Sequence, residues 1–243
     1  MPLIFSPLTE ELIALPPQSL FPRHAFVMRQ IGGAPEIDKK MASLVTGFLK
    51  SKGFGIKDAD ASTGSKDFLE RILGLIRGTG LTVAIFSHET RETALANIML
   101  ELGFAAMCGK PLMIIKSKEA TAPSDLTRTD WIEYAAGEEP AFKRKVLQAI
   151  RMVDDLVPYE DMLLDLALDA KAMDCAVAFE RAQKAFLLSG EKALLEKVEK
   201  IRDRLLSARD IEQVDDLHRL HAEVAMFARQ GRGCSNESTT SSP

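Results

Sequence analysis

A nearly uninterrupted apolar run, LTVAIFS from Leu81 to Ser87, constrains the fold more than any other segment. It has the length of a strand and contains β-branched residues, and its continuous hydrophobicity is typical of a strand covered on both faces. Four further segments are interpreted as strands: 25–31, 54–56, 111–116 and 131–134. Helical periodicity separates them at 36–52, 68–77 and 95–108. This alternation predicts an α/β fold with a parallel sheet of four to five strands, flanked by helices and joined by right-handed crossovers.

The periodicity and composition of the sequence divide the chain into four regions. Residues 1–22 are predicted to be an N-terminal extension in which a short helix begins at Ser6-Pro7 and stops at Pro16-Pro17. The alternating pattern occupies 23–137, and an all-helical C-terminal region follows at 138–230. Its helices are expected at 140–154, 158–189, 191–207 and 210–230. The Ser/Thr/Gly-rich tail, 231–243, is predicted to be disordered.

The net charge and the spacing of cysteine and histidine residues limit which partners and which cellular compartment we expect. A net charge of −4 gives no electrostatic reason to expect nucleic acid as the main partner. The cysteines lie far apart, without metal-binding or disulfide-framework spacing, and this favours the cytoplasm: Cys108, Cys175 and Cys234. His218 and His221 lie three apart with no third ligand in view, so no metal site is predicted. We expect neither a signal peptide nor a membrane-spanning segment.

The segment from Leu95 to Cys108 contains only two polar residues, Asn97 and Glu101. We expect a helix that is buried on several sides, where a carboxylate costs free energy unless it is paired or functional. Asn97 and Glu101 are four residues apart, so they share a face, which three small residues flank: Ala94, Ala105 and Cys108. Glu101 is therefore the candidate catalytic carboxylate, acting as a nucleophile or stabilising an oxocarbenium-like centre. The alternative is a structural carboxylate that caps the backbone amides of a neighbouring loop.

Ligands of an open parallel sheet bind at the carboxyl ends of its strands. The loops expected there carry these candidate binding residues: Arg29, Gln30, Gly32, Asp58, Asp60, Ser65, Ser87 and His88. Ordinary turns, a solvated polar loop and an incidental histidine remain as alternatives for them. Asn97 would bind a ribose hydroxyl or orient Glu101, and a simple helix-internal hydrogen bond to Glu101 is the alternative. The two common phosphate-binding fingerprints, GxGxxG and GxxxxGK[ST], are absent.

Three stretches carry a resemblance to a known superfamily: RHAFVMRQIG, KGFGIKDADASTGSKDFLERILGLIRGTGLTVAIFSHE and NIMLELGFAAMCGKPLMII. The pattern Asn97-x-x-x-Glu101-Leu102-Gly103, followed by Gly109-Lys110-Pro111, resembles the TIR-like and nucleoside 2-deoxyribosyltransferase-like superfamily. The resemblance covers about residues 23–117. It implies a flavodoxin-like sheet and a glutamate, at the position of Glu101, that acts on the anomeric carbon of a ribosyl group. TIR enzymes cleave the nicotinamide–ribose bond of NAD, whereas the deoxyribosyltransferases exchange nucleobases.

On this resemblance, we expect a cytoplasmic nucleotide N-glycosidase in which Glu101 acts at C1′. NAD or a related nucleotide would be the substrate, and no cofactor is expected. The family likeness also suggests an antiviral defence effector that assembly activates, with homo-oligomers formed through the helical C-terminal region. Three alternatives stay open: a non-catalytic module that senses a nucleotide signal, a nucleoside deoxyribosyltransferase, and an interaction scaffold.

Overall fold

A computed structural model describes residues 4–6, 11–13, 19–58, 68–121, 131–169, 175–207 and 224–231. The chain forms two compact units, one from Arg23–Asp155 and the other from Met1–Pro22 together with Leu156–Pro243. The elements, in chain order, are β1 (Ile4–Ser6), β2 (Glu11–Ile13), β3 (Phe21–Met28), α1 (Glu36–Ser51), β4 (Gly55–Asp58), α2 (Phe68–Gly78), β5 (Thr79–Phe86), α3 (Glu92–Met107), β6 (Leu112–Ser117), β7 (Trp131–Tyr134), α4 (Glu139–Asp169), α5 (Cys175–Ser189) and α6 (Ala193–Ser207). A last helical segment spans 224–231.

The predicted parallel sheet is confirmed, with five strands in the order β4-β3-β5-β6-β7. Helices flank this flavodoxin-like sheet, and further helices follow it in the chain. Parallel register places Val27 of β3 opposite Asp58 of β4, and Phe86 of β5 opposite Lys116 of β6. Every residue of β5 is buried, as its continuous hydrophobicity predicts.

One face of the sheet packs against α2 and α3. Phe26 and Met28 of β3 join this core with Phe86 of β5, and Ile98 and Leu102 supply the inner side of α3. Alternate residues of a strand point to opposite faces, so Val27 and Arg29 belong to the other side of the sheet. Helices α2 and α3 therefore pack on the same apolar face of the sheet. The carboxyl ends of the strands lie at the edge of the sheet.

Helix α3 is less enclosed than its sequence predicts. Leu100 is 54% exposed and Met107 is 71% exposed, whereas Ile98 and Leu102 are buried. The prediction of burial on several sides is therefore wrong. The helix packs on the sheet with one side only, and its outer side is apolar without being covered by the part of the chain that the structure describes. Gly109 ends the helix with a φ of +63°, as expected for the residue after the C-cap.

Two local predictions outside the sheet are wrong. Residues Glu11–Ile13, which fall inside the helix predicted to begin at Ser6-Pro7, instead form a strand that pairs antiparallel with Ile4–Ser6. The backbone pairing places Ile4 opposite Ile13 and Phe5 opposite Leu12, so the segment after the capping pattern joins a strand ladder and not a helix. Helix α4 also continues through Pro158, where the sequence predicts a break. Proline removes one helical hydrogen bond, and α4 has buried side chains before and after it, Val153 and Leu164, that favour its continuation.

The unit that contains Leu156–Pro243 has its own apolar core. Its largest members come from α5 and the segment 224–231, in which Phe179 and Phe186 both pack edge-to-face against Phe227. The predicted helices at 158–189 and 210–230, and the predicted disordered tail, fall partly or wholly on residues outside the described ranges. Within those ranges, no helix combines the length and hydrophobicity that a bilayer crossing requires.

Candidate functional site

The candidate site is a cleft between the end of β3 and the beginning of α3. Strand β3 lies between β4, which follows it in the chain, and β5, so the connections diverge there and create a topological switch point. Ligands of doubly wound sheets bind in the crevice at such a point. The cleft has a volume of about 210 Å³ and is lined by residues 27–31, Arg91, Thr93, Ala94, Asn97, Ile98 and Glu101.

The Glu101 side chain lies along one wall of this cleft. Burial raises the pKa of its carboxyl from the ordinary value of 4.5 to about 7. Among the described residues, none forms a hydrogen bond or an ion pair with this carboxyl, so no neighbour lowers that pKa again. A carboxyl of this kind exists in both protonation states near neutral pH, as a group that exchanges protons or meets a developing charge must.

Two guanidinium groups give the same cleft a positive character. Arg29 follows β3 and Arg91 precedes α3, and both line the cleft. Arg91 donates a 2.5 Å hydrogen bond to the carbonyl of Gly32, while Arg29 lies 3.5 Å from the Asp58 carboxylate. The first turn of α3 has no side-chain cap, so its free N–H groups add to the attraction for an anion. The cleft is thus suited to an anionic ligand group beside the Glu101 carboxyl.

A buried glutamine holds the mouth of the cleft together. The Gln30 amide nitrogen donates to the carbonyls of Gly32 (3.2 Å) and Gly33 (2.7 Å), and its oxygen accepts from the backbone N–H of Arg91 at 3.0 Å. Gln30 is 3% exposed, so these bonds are shielded from water. Its side chain therefore joins the loop after β3 to the beginning of α3.

A second connection reaches the same loops from α1. Thr90 donates a 2.7 Å hydrogen bond to the buried carboxylate of Asp38, and its hydroxyl oxygen accepts one from the backbone N–H of Ser87. Asp38 lies in the first turn of α1, where a negative charge is favoured by the helix dipole. The loop after β5 is thereby tied to α1, which fixes the entry into α3.

The structure brings four of the predicted site residues together in the cleft: Arg29, Gln30, Asn97 and Glu101. Gly32 and Asp58 lie next to it through their contacts with Arg91 and Arg29. Asn97 is exposed and makes no hydrogen bond to Glu101, so the helix-internal alternative is wrong. Asp60 and Ser65 lie outside the described residues.

Ser87 and His88 are not among the residues that line the cleft. Ser87 is buried and forms a turn with Thr90, and its hydroxyl accepts from the backbone N–H of Glu89. His88 lies 3.2 Å from the Ser117 hydroxyl, at the ends of β5 and β6. Its ring nitrogens are 3.7 Å from Glu89 and 3.8 Å from Glu119. Among the described residues, no group of three or more His, Cys, Asp or Glu side chains is arranged to hold a metal ion.

Sequence reasoning missed Arg91. The side chains of Ala94, Asn97 and Glu101 line the same cleft, as their helical spacing predicts, and one further turn towards the N-terminus leads to Arg91. Extending the Asn97–Glu101 face backwards to the helix start is the signal that identifies it. The segment after β5 is expected at the ligand-binding edge of the sheet, but only Ser87 and His88 are taken from it as candidate binding residues.

The fold and the cleft together define the class: a flavodoxin-like α/β protein with a partly open, cationic cleft at its switch point. Comparison with protein-family models finds no match, and comparison with curated proteins finds none either.

Proposed function

We propose that the protein is a nucleotide N-glycosidase that hydrolyses the nicotinamide–ribose bond of NAD or a related nucleotide. The observation that carries the proposal is the Glu101 carboxyl, which faces the cleft without a partner among the described residues and has a pKa raised to about 7 by burial. The residue resemblance described for 23–117 supplies the reaction class, and the cationic cleft supports a phosphate-bearing substrate.

In the proposed reaction, Arg29 and Arg91 bind the phosphates and Asn97 contacts a ribose hydroxyl. The ionised Glu101 stabilises the positive charge that develops at C1′ as the C1′–N bond breaks, or it attacks C1′ directly. The leaving nitrogen keeps the electron pair of the broken bond, so nicotinamide departs as a neutral base. Water then delivers hydroxide to C1′ and releases its proton, and Glu101 returns to its initial state.

Purified full-length protein incubated with NAD, or with related nucleotides, tests the proposal by chromatography of the released base. We expect Glu101→Gln to lower turnover about 10²–10⁴-fold, because the neutral amide cannot stabilise the positive charge that develops at C1′. Glu92→Gln is the matched control on the same helix, since Glu92 is exposed and does not line the cleft. Equal turnover by the parent and Glu101→Gln would disprove the catalytic role.

A nucleotide-sensing module is the second candidate, and the raised pKa of Glu101 is the observation in its favour. A protonated carboxyl donates a hydrogen bond to a ribose oxygen, which provides recognition without chemistry. Calorimetry that detects tight nucleotide binding, with no product by chromatography, would favour this function. Base exchange when a free nucleobase is added would instead identify a deoxyribosyltransferase.

We further propose that the helical region brings two copies of the chain together. Tyr159 and Met162 lie three residues apart on α4 and are each 52% exposed, so they offer an apolar face. Light scattering of the parent and of a Tyr159→Ser/Met162→Ser variant tests this, and a larger mass for the parent alone is expected. Equal masses would contradict it. The cytoplasmic location and the role in antiviral defence stay predictions from the sequence.

A further inference from the structure

A second hollow lies on the other face of the sheet, between α1 and the edge strand β4. Its volume is about 320 Å³, and the residues that line it are Val27, Arg29, Lys39, Ala42, Ser43, Thr46, Lys50, Ile56 and Asp58. We name it the α1–β4 groove. Val27 and Ala42 are buried at the floor of the groove, and the apolar surface open to a ligand is that of the partly exposed Ile56 on β4, at the edge of the sheet.

The charge of the α1–β4 groove is opposite to that of the whole chain. Three cations line it, Arg29, Lys39 and Lys50, against the single carboxylate of Asp58, whereas the chain carries a net charge of −4. Lys50 forms no ion pair with any described residue. Lys39 pairs with Glu36 at 2.6 Å, but both side chains are more than half exposed, so an anionic ligand can displace this pair at little cost.

The positions of the two lysines on α1 define the length of the groove. Lys39, Ser43, Thr46 and Lys50 recur at helical spacing and form one polar stripe. The two lysines are eleven positions apart, which corresponds to about 16 Å along the helix axis. Lys39, in the first turns of α1, is at the same end as Arg29 and Asp58, while Lys50 lies in the last turn. A single phosphate is too short to occupy such a site, but an elongated ligand spans it.

We propose that the α1–β4 groove binds a nucleoside diphosphate, with the phosphates between Arg29 and Lys39. The ribose then lies along the hydroxyls of Ser43 and Thr46, and the base packs on the partly exposed side chain of Ile56, towards the Lys50 end of the groove. The Thr46 hydroxyl donates to the Ala42 carbonyl and keeps its lone pairs for a ligand. The proposal does not rest on hydrolysis at Glu101, although Arg29 lines both hollows.

The test distinguishes binding in the α1–β4 groove from binding in the Glu101 cleft by blocking the cleft. Asn97 is exposed and lines only the Glu101 cleft, so Asn97→Trp blocks that cleft and leaves the groove open. In this background, calorimetric titration with ADP is expected to detect binding, and adenosine is expected to bind at least about tenfold more weakly because it lacks the charged contacts. Lys39→Gln, which removes a phosphate contact, should weaken ADP binding about threefold to tenfold, whereas Lys50→Gln, beside the base, should weaken ADP and adenosine by a similar factor.

Lys192→Gln in the same background is the matched control, because Lys192 is exposed and lies in the other unit. It should leave the affinity for ADP unchanged, and Ser43→Trp, which fills the groove, should abolish binding. The proposal is overturned if ADP does not bind at millimolar concentration, if the two lysine variants bind as tightly as the parent background, or if adenosine equals ADP. Base release by the protein with Asn97 intact is a separate readout, so a failure here is distinguishable from a failure of the glycosidase proposal.

Discussion

At the scale of single residues, the protonation state of Glu101 decides which chemistry the cleft can perform. Burial raises the pKa of this carboxyl to about 7, so the fraction that is ionised changes most between pH 6 and pH 8. Stabilising a cationic C1′ requires the ionised form. We therefore expect kcat/KM for base release to rise with pH through about 7 and then to level off. Initial rates across pH 5–9 measure this, and a rate that falls over the same interval would instead assign Glu101 the role of general acid.

The same pKa shift makes a prediction about stability. The folded state binds the Glu101 proton more tightly than the unfolded state, in which the pKa is 4.5. The stabilisation is complete below pH 4.5 and is lost as the pH rises through 7, so ionisation of Glu101 destabilises the fold at pH 8. Glu101→Gln does not titrate and should exceed the parent by about 1–3 kcal/mol in free energy of unfolding at pH 8.

Urea titrations of both proteins at pH 4.5 and pH 8 measure this difference. The stability difference between Glu101→Gln and the parent should grow with pH, and Glu92→Gln on the exposed side of α3 should show no such trend. A pH-independent difference would mean that the Glu101 carboxyl has an ordinary pKa.

Residue-level prediction succeeded where local periodicity was sufficient. Asn97 and Glu101 share a face with Ala94, and all three line the cleft. The sequence alone could not predict the role of Gln30 in joining two segments. Its partners are loop carbonyls and an N–H group 61 residues away, and only the folded sheet brings that group near. His88 and Ser87 were predicted from their position after β5, but the cleft opens towards β3 and does not include them.

At the scale of elements, Gln30 connects the loop after β3 to the beginning of α3. Replacing it with leucine leaves the N–H of Arg91 and the carbonyls of Gly32 and Gly33 without this partner. We expect Gln30→Leu to lower the free energy of unfolding by about 1–3 kcal/mol and to weaken nucleotide binding in the cleft. Thermal denaturation and calorimetry measure the two effects. Asn97→Ala, at an exposed position, serves as the control for stability and should change it little.

Helix α4 offers a second test at this scale, because it contains prolines in two positions. Pro158 lies in the helix interior, whereas Pro140 lies in the first turn, where its missing N–H has no helical acceptor. Pro158→Ala restores a helical hydrogen bond and should raise the free energy of unfolding by about 1–3 kcal/mol. Pro140→Ala should give no comparable gain. Equal effects of the two substitutions in urea titrations would contradict this explanation.

The elements themselves show which patterns were decisive. The nearly continuous hydrophobicity of Leu81–Ser87 identified a buried strand correctly, since every residue of β5 is buried. Local signals failed where tertiary contacts compete with them. The Ser6-Pro7 cap was outweighed by the pairing of β1 with β2, and Pro158 did not end α4. Hydrophobicity alone also cannot distinguish a buried helix face from an exposed one, as Leu100 and Met107 demonstrate.

At the scale of the whole molecule, the cleft and the α1–β4 groove both belong to the unit Arg23–Asp155. This unit has its own sheet and core, so we expect residues 23–155 to fold when expressed alone. A cooperative thermal transition in far-ultraviolet circular dichroism, together with retained ADP binding, is the expected result. A fragment without a cooperative transition would show that the remaining residues are needed to maintain the sheet.

The helical unit has an internal ionic contact that sets its packing. Glu160 of α4 is buried, and it pairs with Arg181 at 2.7 Å and Lys184 at 2.6 Å, both on α5. Burial by itself would raise the pKa of Glu160, but the hydrogen bonds from Lys184 and Arg181 outweigh it and lower that pKa. Glu160 therefore remains ionised at neutral pH, and its two ion pairs join α4 to α5.

The chain contains one tryptophan, Trp131, and it lies in β7 within the unit that carries the sheet. Its indole packs at the border of the sheet core, with the Lys116 ammonium 5.9 Å from the ring centre. Tryptophan fluorescence, excited at the long-wavelength edge of the absorption band, therefore arises from the unit Arg23–Asp155 alone. The other unit contributes none. The molecule carries a built-in optical label, and the loosening of the unit Arg23–Asp155 can be timed by itself without attaching a dye.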